Sequence, residues 1–337
     1  MTFFEETDIM KRRDLLLCSA GLTLADLLPA AVAASPGERA IPPDWAPRLK
    51  HLTDEAGAPL VRFVRGVDSR GLLRLYEATG FRARGRLGVK VTLEAPGGPH
   101  VDTALIAPLV KRLQGTLIDC NGFTPPRNRT DTHLEAARAN GFYDVAPIDI
   151  LDADGDMELP VSGGKWLKAA RTGAHLSRYD AFLVITRFKA HHLPFYGGVL
   201  KSLSICMGSI AGKARIHSCG ETDAGYRGRP DRDTLEAMAD AAKGAVDYFG
   251  DRALYIGVMQ AFEPDDGDAQ ARDLGDVGIF ASTDPVALDQ VFLDLAYGAA
   301  PTPQTAARWR EAHGASLTDH AQAVGVGSTR YRLSEVA

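Results

Sequence analysis

The sequence predicts an α/β protein with a mostly parallel or mixed sheet and helices on both faces. Short β-branched runs alternate with helical patterns of ten or so residues along most of the chain, the order that builds a parallel sheet through crossover helices. One run, Asp180–Ile185 (DAFLVI), is apolar without alternation after its first residue, as expected of a strand covered on both faces. The chain has 337 residues, 45% of them hydrophobic, which is enough to bury a sizeable core. A net charge of −5, with Lys and Arg spread along the chain, argues against nucleic acid as a partner.

Three parts are expected: residues 1–34 as an export signal, 35–60 as a linker and N-terminal arm, and 61–337 as a single α/β domain. Lys11-Arg12-Arg13-Asp14 precedes the moderately apolar stretch Leu15–Leu28, and Ala31-Val32-Ala33 supplies small residues for cleavage. This order reads as a twin-arginine signal, so the expected partner is the twin-arginine translocation machinery and the expected location is the periplasm. The apolar stretch is too short to span about 30 Å of hydrocarbon, so no stable membrane insertion is expected after cleavage. The competing reading is an amphipathic helix with a chance arginine pair.

Val61–Val67 and Leu87–Leu93 read as strands around a helix at Gly71–Thr79. Thr103–Leu113 has helical apolar spacing, and Gly115–Asp119 is a strand ending on Asp119. Thr130–Asn140 is a helix stopped at Gly141. Pro147–Leu151, Ala181–Ile185 and Ala253–Met259 are further strands. Helices are expected at Gly164–Leu176, Gly198–Cys206, Asp233–Phe249, Pro285–Ala296, Pro303–His313 and Leu317–Ala323. Asp284-Pro285 is a helix start, with Asp284 as N-cap and Pro285 at the first helical position.

Chemistry-bearing residues gather in Thr186–Ser218, just after the DAFLVI strand, where ligands bind in open α/β sheets. Lys189, His191, His192, Lys201, Lys213 and His217 lie there among glycines and alanines. Imidazoles bind metals or move protons, and lysines anchor carboxylates or phosphates. Gly197-Gly198 precedes a helix, a pattern that lets backbone N–H groups approach an anion; a ligand-free tight turn explains it equally well. Asp119 and Asn121, at another strand end, suit a hard cation or the orientation of a histidine, or else a loop cap. Arg127 lies in a Pro-rich loop able to clamp an acidic substrate. Gly208-Ser-Ile-Ala-Gly212-Lys213 is one residue short of a phosphate loop and Ala214 replaces its Ser or Thr, so no Walker motif is read. There is neither a G-x-S-x-G elbow nor a G-x-G-x-x-G fingerprint.

Phe188, Lys189, His191, Gly197, Gly198, Lys201, Met207, Gly208, Gly212, Lys213, His217 and Ser218 together resemble the central motif of the family called domain of unknown function 362. Asp119-Cys120-Asn121, Arg127, His133-Leu134, Ala137 and Gly141-Phe142 match an earlier segment of that family, and Asp276–Gln290 its closing motif. The resemblance spans roughly Leu87 to Leu333. It favours His191 over His192 as the pocket-facing imidazole; redox or acid–base activity is an expectation from the histidines and lysines themselves. Many relatives carry ferredoxin-like cysteine runs; here only Cys120, Cys206 and Cys219 follow the leader, with no C-x-x-C, so no self-contained iron–sulfur cluster is expected. Disulfide pairing among these three stays open, with Cys206 expected as a buried thiol in apolar surroundings.

The resulting expectation is an exported protein that binds a small anionic ligand or a metal-bearing cofactor. His191, His217 and Lys189 are the candidate catalytic residues. Lys201, Gly197, Gly198, Asp119, Asn121, Arg127 and Lys213 would bind ligand. A divalent metal, if used, would draw on His191, His217 and Asp119. The alternative is a non-catalytic periplasmic binding or cofactor-maturation protein that keeps the pocket.

Overall fold

The structure, a computed structural model, describes residues 38–39, 41–191, 195–260, 275–298 and 315–337, with backbone alone for 38, 39, 190, 191 and 195. The leader expected to be an export signal, His192 and the helix expected at Pro303–His313 lie outside them. The strands are β1 (Glu38–Arg39), β2 (Leu60–Arg65), β3 (Leu87–Lys90), β4 (Thr116–Asp119), β5 (Ile148–Ile150), β6 (Asp156–Pro160), β7 (Ala169–Gly173), β8 (Ala181–Arg187), β9 (Lys189–His191), β10 (Phe195–Gly197), β11 (Ala253–Met259), β12 (Gly278–Ser282) and β13 (Arg332–Val336). The α-helices are α1 (Ser69–Thr79), α2 (Thr103–Leu113), α3 (Thr130–Ala139), α4 (Val199–Leu203), α5 (Ile210–His217), α6 (Asp231–Phe249), α7 (Pro285–Tyr297) and α8 (Ser316–Ala323).

Nine of these strands form one mostly parallel sheet, in the order β1-β13-β2-β12-β11-β8-β3-β4-β5. The run β11-β8-β3-β4-β5 is parallel throughout. The antiparallel pairings are β1 with β13 and β12 with each of its neighbours. Burial alternates as the pleat requires. In β8, Phe182 and Val184 join one core, while Ala181, Leu183 and Ile185 join the core on the opposite face. Helices α1 and α2 cover the second face; α4, α6, α7 and α8 cover the first. Among the described residues, no helix is long and apolar enough to cross a membrane.

Local signals explain most element ends. Asp68 caps α1 by accepting from Gly71 N at 2.8 Å, and Gly80 closes that helix in the left-handed region, φ 71°. Gly257 in β11 is required by packing, since a Cβ there would lie 2.2 Å from the Phe292 ring of α7. Part of the N-terminal arm belongs to the core: Trp45 stacks near Phe63 and Phe280, with ring centroids 5.0 and 5.9 Å away.

The helix expected at Gly164–Leu176 does not form. Ala169 and Ala170 sit in β7, which pairs antiparallel with β6, and a short 3₁₀ helix, Ala174–Arg178, follows. Gly173 presses on the Leu151–Asp152 backbone so closely that a Cβ would come within 2.0 Å of Leu151 C. Tertiary pairing overrides the helical propensity of the run.

Candidate functional site

The parallel strands β3, β4 and β8 end on one side of the sheet, and a cleft opens there beneath β9, β10 and α4. Two adjoining hollows share Thr92, Glu94, Lys189, Lys201 and Cys206. One continues over His100, Ser202 and the Gly197-Gly198 turn. The other continues over Asp119, Cys120, Gly122, Arg127 and Lys213. This is the carboxyl end of a parallel sheet, where the geometry of α/β folds leaves room for ligands.

At the rim, Lys189 Nζ donates to Glu94 Oε1 at 2.7 Å and to Pro99 O at 3.2 Å. Arg127 reaches the other oxygen of the same carboxylate at 3.5 Å. Glu94 holds a left-handed backbone, φ 54°, uncommon for a residue with a side chain and found preferentially where function fixes a geometry. Asn140, at the end of α3, fastens this turn by donating to Leu93 O and Ala95 O and accepting from Gly97 N. Lys201, on α4, projects between the hollows. Among the described residues its ammonium has no hydrogen-bond acceptor or ion-pair partner. Burial lowers its pKa; Cys206 and Glu94 oppose that shift, and the positive charges of Lys189 and Arg127 add to it.

The floor is built from satisfied charges. Lys90, inside β3, is buried and donates to Asp119 Oδ1 at 3.0 Å and to Val91 O at 2.8 Å. Asp119 also accepts from Leu93 N and Cys120 N, and His133 Nε2 stands 3.5 Å away. Burial alone would raise this carboxyl, but Lys90 and His133 hold it far below the carboxylate range. Asp119 is therefore the counterion of a buried lysine and not an open ligand for a hard cation.

Other sequence expectations are corrected in the same way. Asn121 packs under the cleft, donating to Thr130 Oγ1 and facing His133 Nδ1, and does not line either hollow. Lys213 lines the second hollow, but its ammonium is fixed on Asn121 O and Gly208 O. His217 stands between Phe123 and Tyr226, with ring centroids 5.8 and 4.9 Å away, and lines neither hollow. Burial, then Lys213 and Lys201, push its imidazole down to about 4, so it is neutral at pH 7. Only the backbone of His191 is described, paired with Phe195 across the β9–β10 hairpin. Among the described residues, no three His, Cys, Asp or Glu side chains are arranged to hold a metal.

The Gly197-Gly198 turn does not wait for an outside anion. The first N–H groups of α4, from Val199 and Leu200, donate at 2.7 and 2.9 Å to the two oxygens of Asp289 on α7. A Cβ on Gly198 would lie 2.4 Å from Asp289 Oδ1, so the glycine admits the protein's own carboxylate. Cys120, Cys206 and Cys219 are all free thiols. Burial pushes the Cys120 thiol up to about 12, whereas Cys206, expected in apolar surroundings, is half-buried and lines both hollows beside Lys201.

A model of the family described as domain of unknown function (DUF362) matches residues 88–294, more than half of the chain and all of the cleft's walls. The chain belongs to the DUF362 family. No curated protein sequence matches it. Among solved structures, lactate racemase apoprotein from Thermoanaerobacterium thermosaccharolyticum is similar at 12% identity and a TM-score of 0.43, over 72% of this chain and 58% of that one. A protein from Thermotoga maritima is similar at 11% identity and a TM-score of 0.40, over 70% of this chain and 59% of that one. This DUF362 chain thus spans less than two thirds of either protein's length.

Sequence reasoning missed Glu94, Lys90 and the partner of Asp289. A lysine within the apolar strand Leu87–Leu93 was a usable signal, because a strand buried on both faces accepts an ammonium only with a counterion.

Proposed function

We propose that this DUF362 protein is exported and binds a small anionic molecule, a carboxylate or a phosphate, in the cleft at the ends of β3, β4 and β8. One observation carries the ligand reading. Three cationic side chains, Lys189, Arg127 and Lys201, converge there, and the single Glu94 carboxylate is shared by two of them while the third has no acceptor among the described residues. An incoming anion meets preformed positive charge on a chain whose formal net charge is −5. The Arg12-Arg13 leader supports export.

Thermal unfolding of the purified chain across a panel of organic acids and phosphates tests the ligand reading, because a molecule that binds only the native state raises its stability. Lys189→Met and Lys201→Met should each weaken binding by about 1.5–3 kcal/mol, the range for hydrogen bonds to charged groups. Lys111→Met, on the exposed side of α2, should respond as wild type does. A panel in which no anion stabilises wild type removes the reading.

A further inference from the structure

We propose that Lys201 is an amine nucleophile that condenses with the carbonyl carbon of a 2-oxo acid seated in this cleft. The proposal rests on the anion-binding reading and deepens it by naming the substrate class.

The observation that separates Lys201 from the other cleft cations is its lack of work as a structural charge. Lys90 is spent on Asp119, Lys213 on two backbone carbonyls, and Lys189 and Arg127 on Glu94. Lys201 lines both hollows, and no acceptor among the described residues holds its proton. A half-buried lysine beside Lys189 and Arg127, with no hydrogen-bonded or ion-paired carboxylate among the described residues, is the arrangement that frees an amine lone pair at moderate pH, with burial lowering its pKa against the opposing pull of Cys206 and Glu94.

The same surroundings select the electrophile. A 2-oxo acid places a carboxylate next to its carbonyl, so one end suits Lys189 and Arg127 while the carbonyl faces Lys201. The neutral amine nitrogen attacks the carbonyl carbon, forming the C–N bond as the carbonyl π pair moves to oxygen. That oxygen takes up a proton and the nitrogen loses one, giving a carbinolamine. Loss of water then breaks the C–O bond and leaves an imine. The sum is amine plus carbonyl giving imine plus water, with nothing oxidised or reduced. Glu94, which lines both hollows, is the carboxylate placed to exchange protons with the reacting centre.

The test uses the full chain with pyruvate or glyoxylate, followed by sodium borohydride, whose hydride converts an imine to a stable secondary amine. Intact-mass and peptide-mass measurements should show one reduced adduct per chain, mapped to Lys201, with labelling that increases as pH is raised from 6 toward 9. Lys201→Arg keeps the positive charge and cannot form the imine, so it should lose the adduct while the oxo acid still shifts its unfolding temperature. Equal labelling across surface lysines such as Lys111, or labelling that persists in Lys201→Arg, overturns the proposal. If pyruvate stabilises wild type and Lys201→Arg alike and no adduct forms, the nucleophile fails while the anion site stands. If no oxo acid, simple carboxylate or phosphate stabilises wild type, both fall together.

Discussion

Helices α7 and α4 each begin on an aspartate, and the two do so by different routes. At α7, Asp284 immediately precedes the helix and accepts from Val286 N and Ala287 N at 2.9 Å, with its other oxygen taking Ser328 N at 3.0 Å. At α4 the cap comes from α7 itself: Asp289 accepts from Val199 N and Leu200 N, ninety positions away. Asp284 stabilises its own helix. Asp289 welds one helix to another and, because α4 carries Lys201, it positions one wall of the cleft. A local cap can be lost at the cost of fraying, whereas a remote one holds a tertiary contact whose loss leaves two buried donors without partners.

The largest expected effect follows from that difference. Asp289→Ala should lower unfolding free energy by about 3 kcal/mol, from two orphaned N–H groups at about 1–3 kcal/mol each partly offset by relief of carboxylate burial. Denaturant titration measures it, and hydrogen exchange at Val199 and Leu200 should rise alongside. A cost no greater than that of Asp284→Ala would erase the distinction between the two caps.

Asp284→Ala should cost about 1 kcal/mol, as for other N-cap replacements, with Ser328 N adding a little. Far-UV circular dichroism and the midpoint in denaturant check this, and anion-induced stabilisation should be unchanged, since Asp284 lies outside the cleft. Loss of ligand response in this variant would show that α7 transmits to the site from both aspartates.

The finest test is pH. Burial pushes the Asp289 carboxyl up to about 7 from an ordinary 3.8, against the pull of the two backbone donors. A carboxyl whose folded-state pKa is raised binds its proton more tightly in the native state. Its contribution to stability is therefore complete below about pH 4 and is lost as pH rises toward 7. Asp289→Asn, which cannot ionise, should flatten that part of the stability profile between pH 4 and 7. An identical profile in the variant would assign the slope to other groups.

The same pair of caps shows what the sequence made legible. Asp284-Pro285 announces a helix start within two residues, and the DAFLVI run announces a central strand, so the α/β class and the end of the sheet where the cleft opens followed from adjacent letters. Lys189 and Lys201 were found because a strand end or glycines stood next to them, and Arg127 because prolines did. The anion partner of the Gly197-Gly198 turn was unreadable, because nothing near residue 198 points to residue 289. Asp119 was read as a ligand for the same reason: its counterion, Lys90, belongs to another strand, and only three-dimensional pairing reveals that the charge is already neutralised. Glu94 is special through its backbone conformation and the grip of Asn140, neither of which local composition encodes.

The placement of β13 has a consequence for the order in which this protein becomes whole. β13 lies between β1 and β2, and its Glu335 receives both hydrogen bonds of the Arg65 guanidinium, 270 positions earlier in the chain. The other edge of β2 is closed by β12, which also comes late in synthesis. While the ribosome is still making the middle of the protein, β2 thus has two bare edges, and contacts of such sequence separation are entropically slow to close. A newly made chain carries an unprotected strand, prone to pairing with its neighbours, until β12 and β13 have been made.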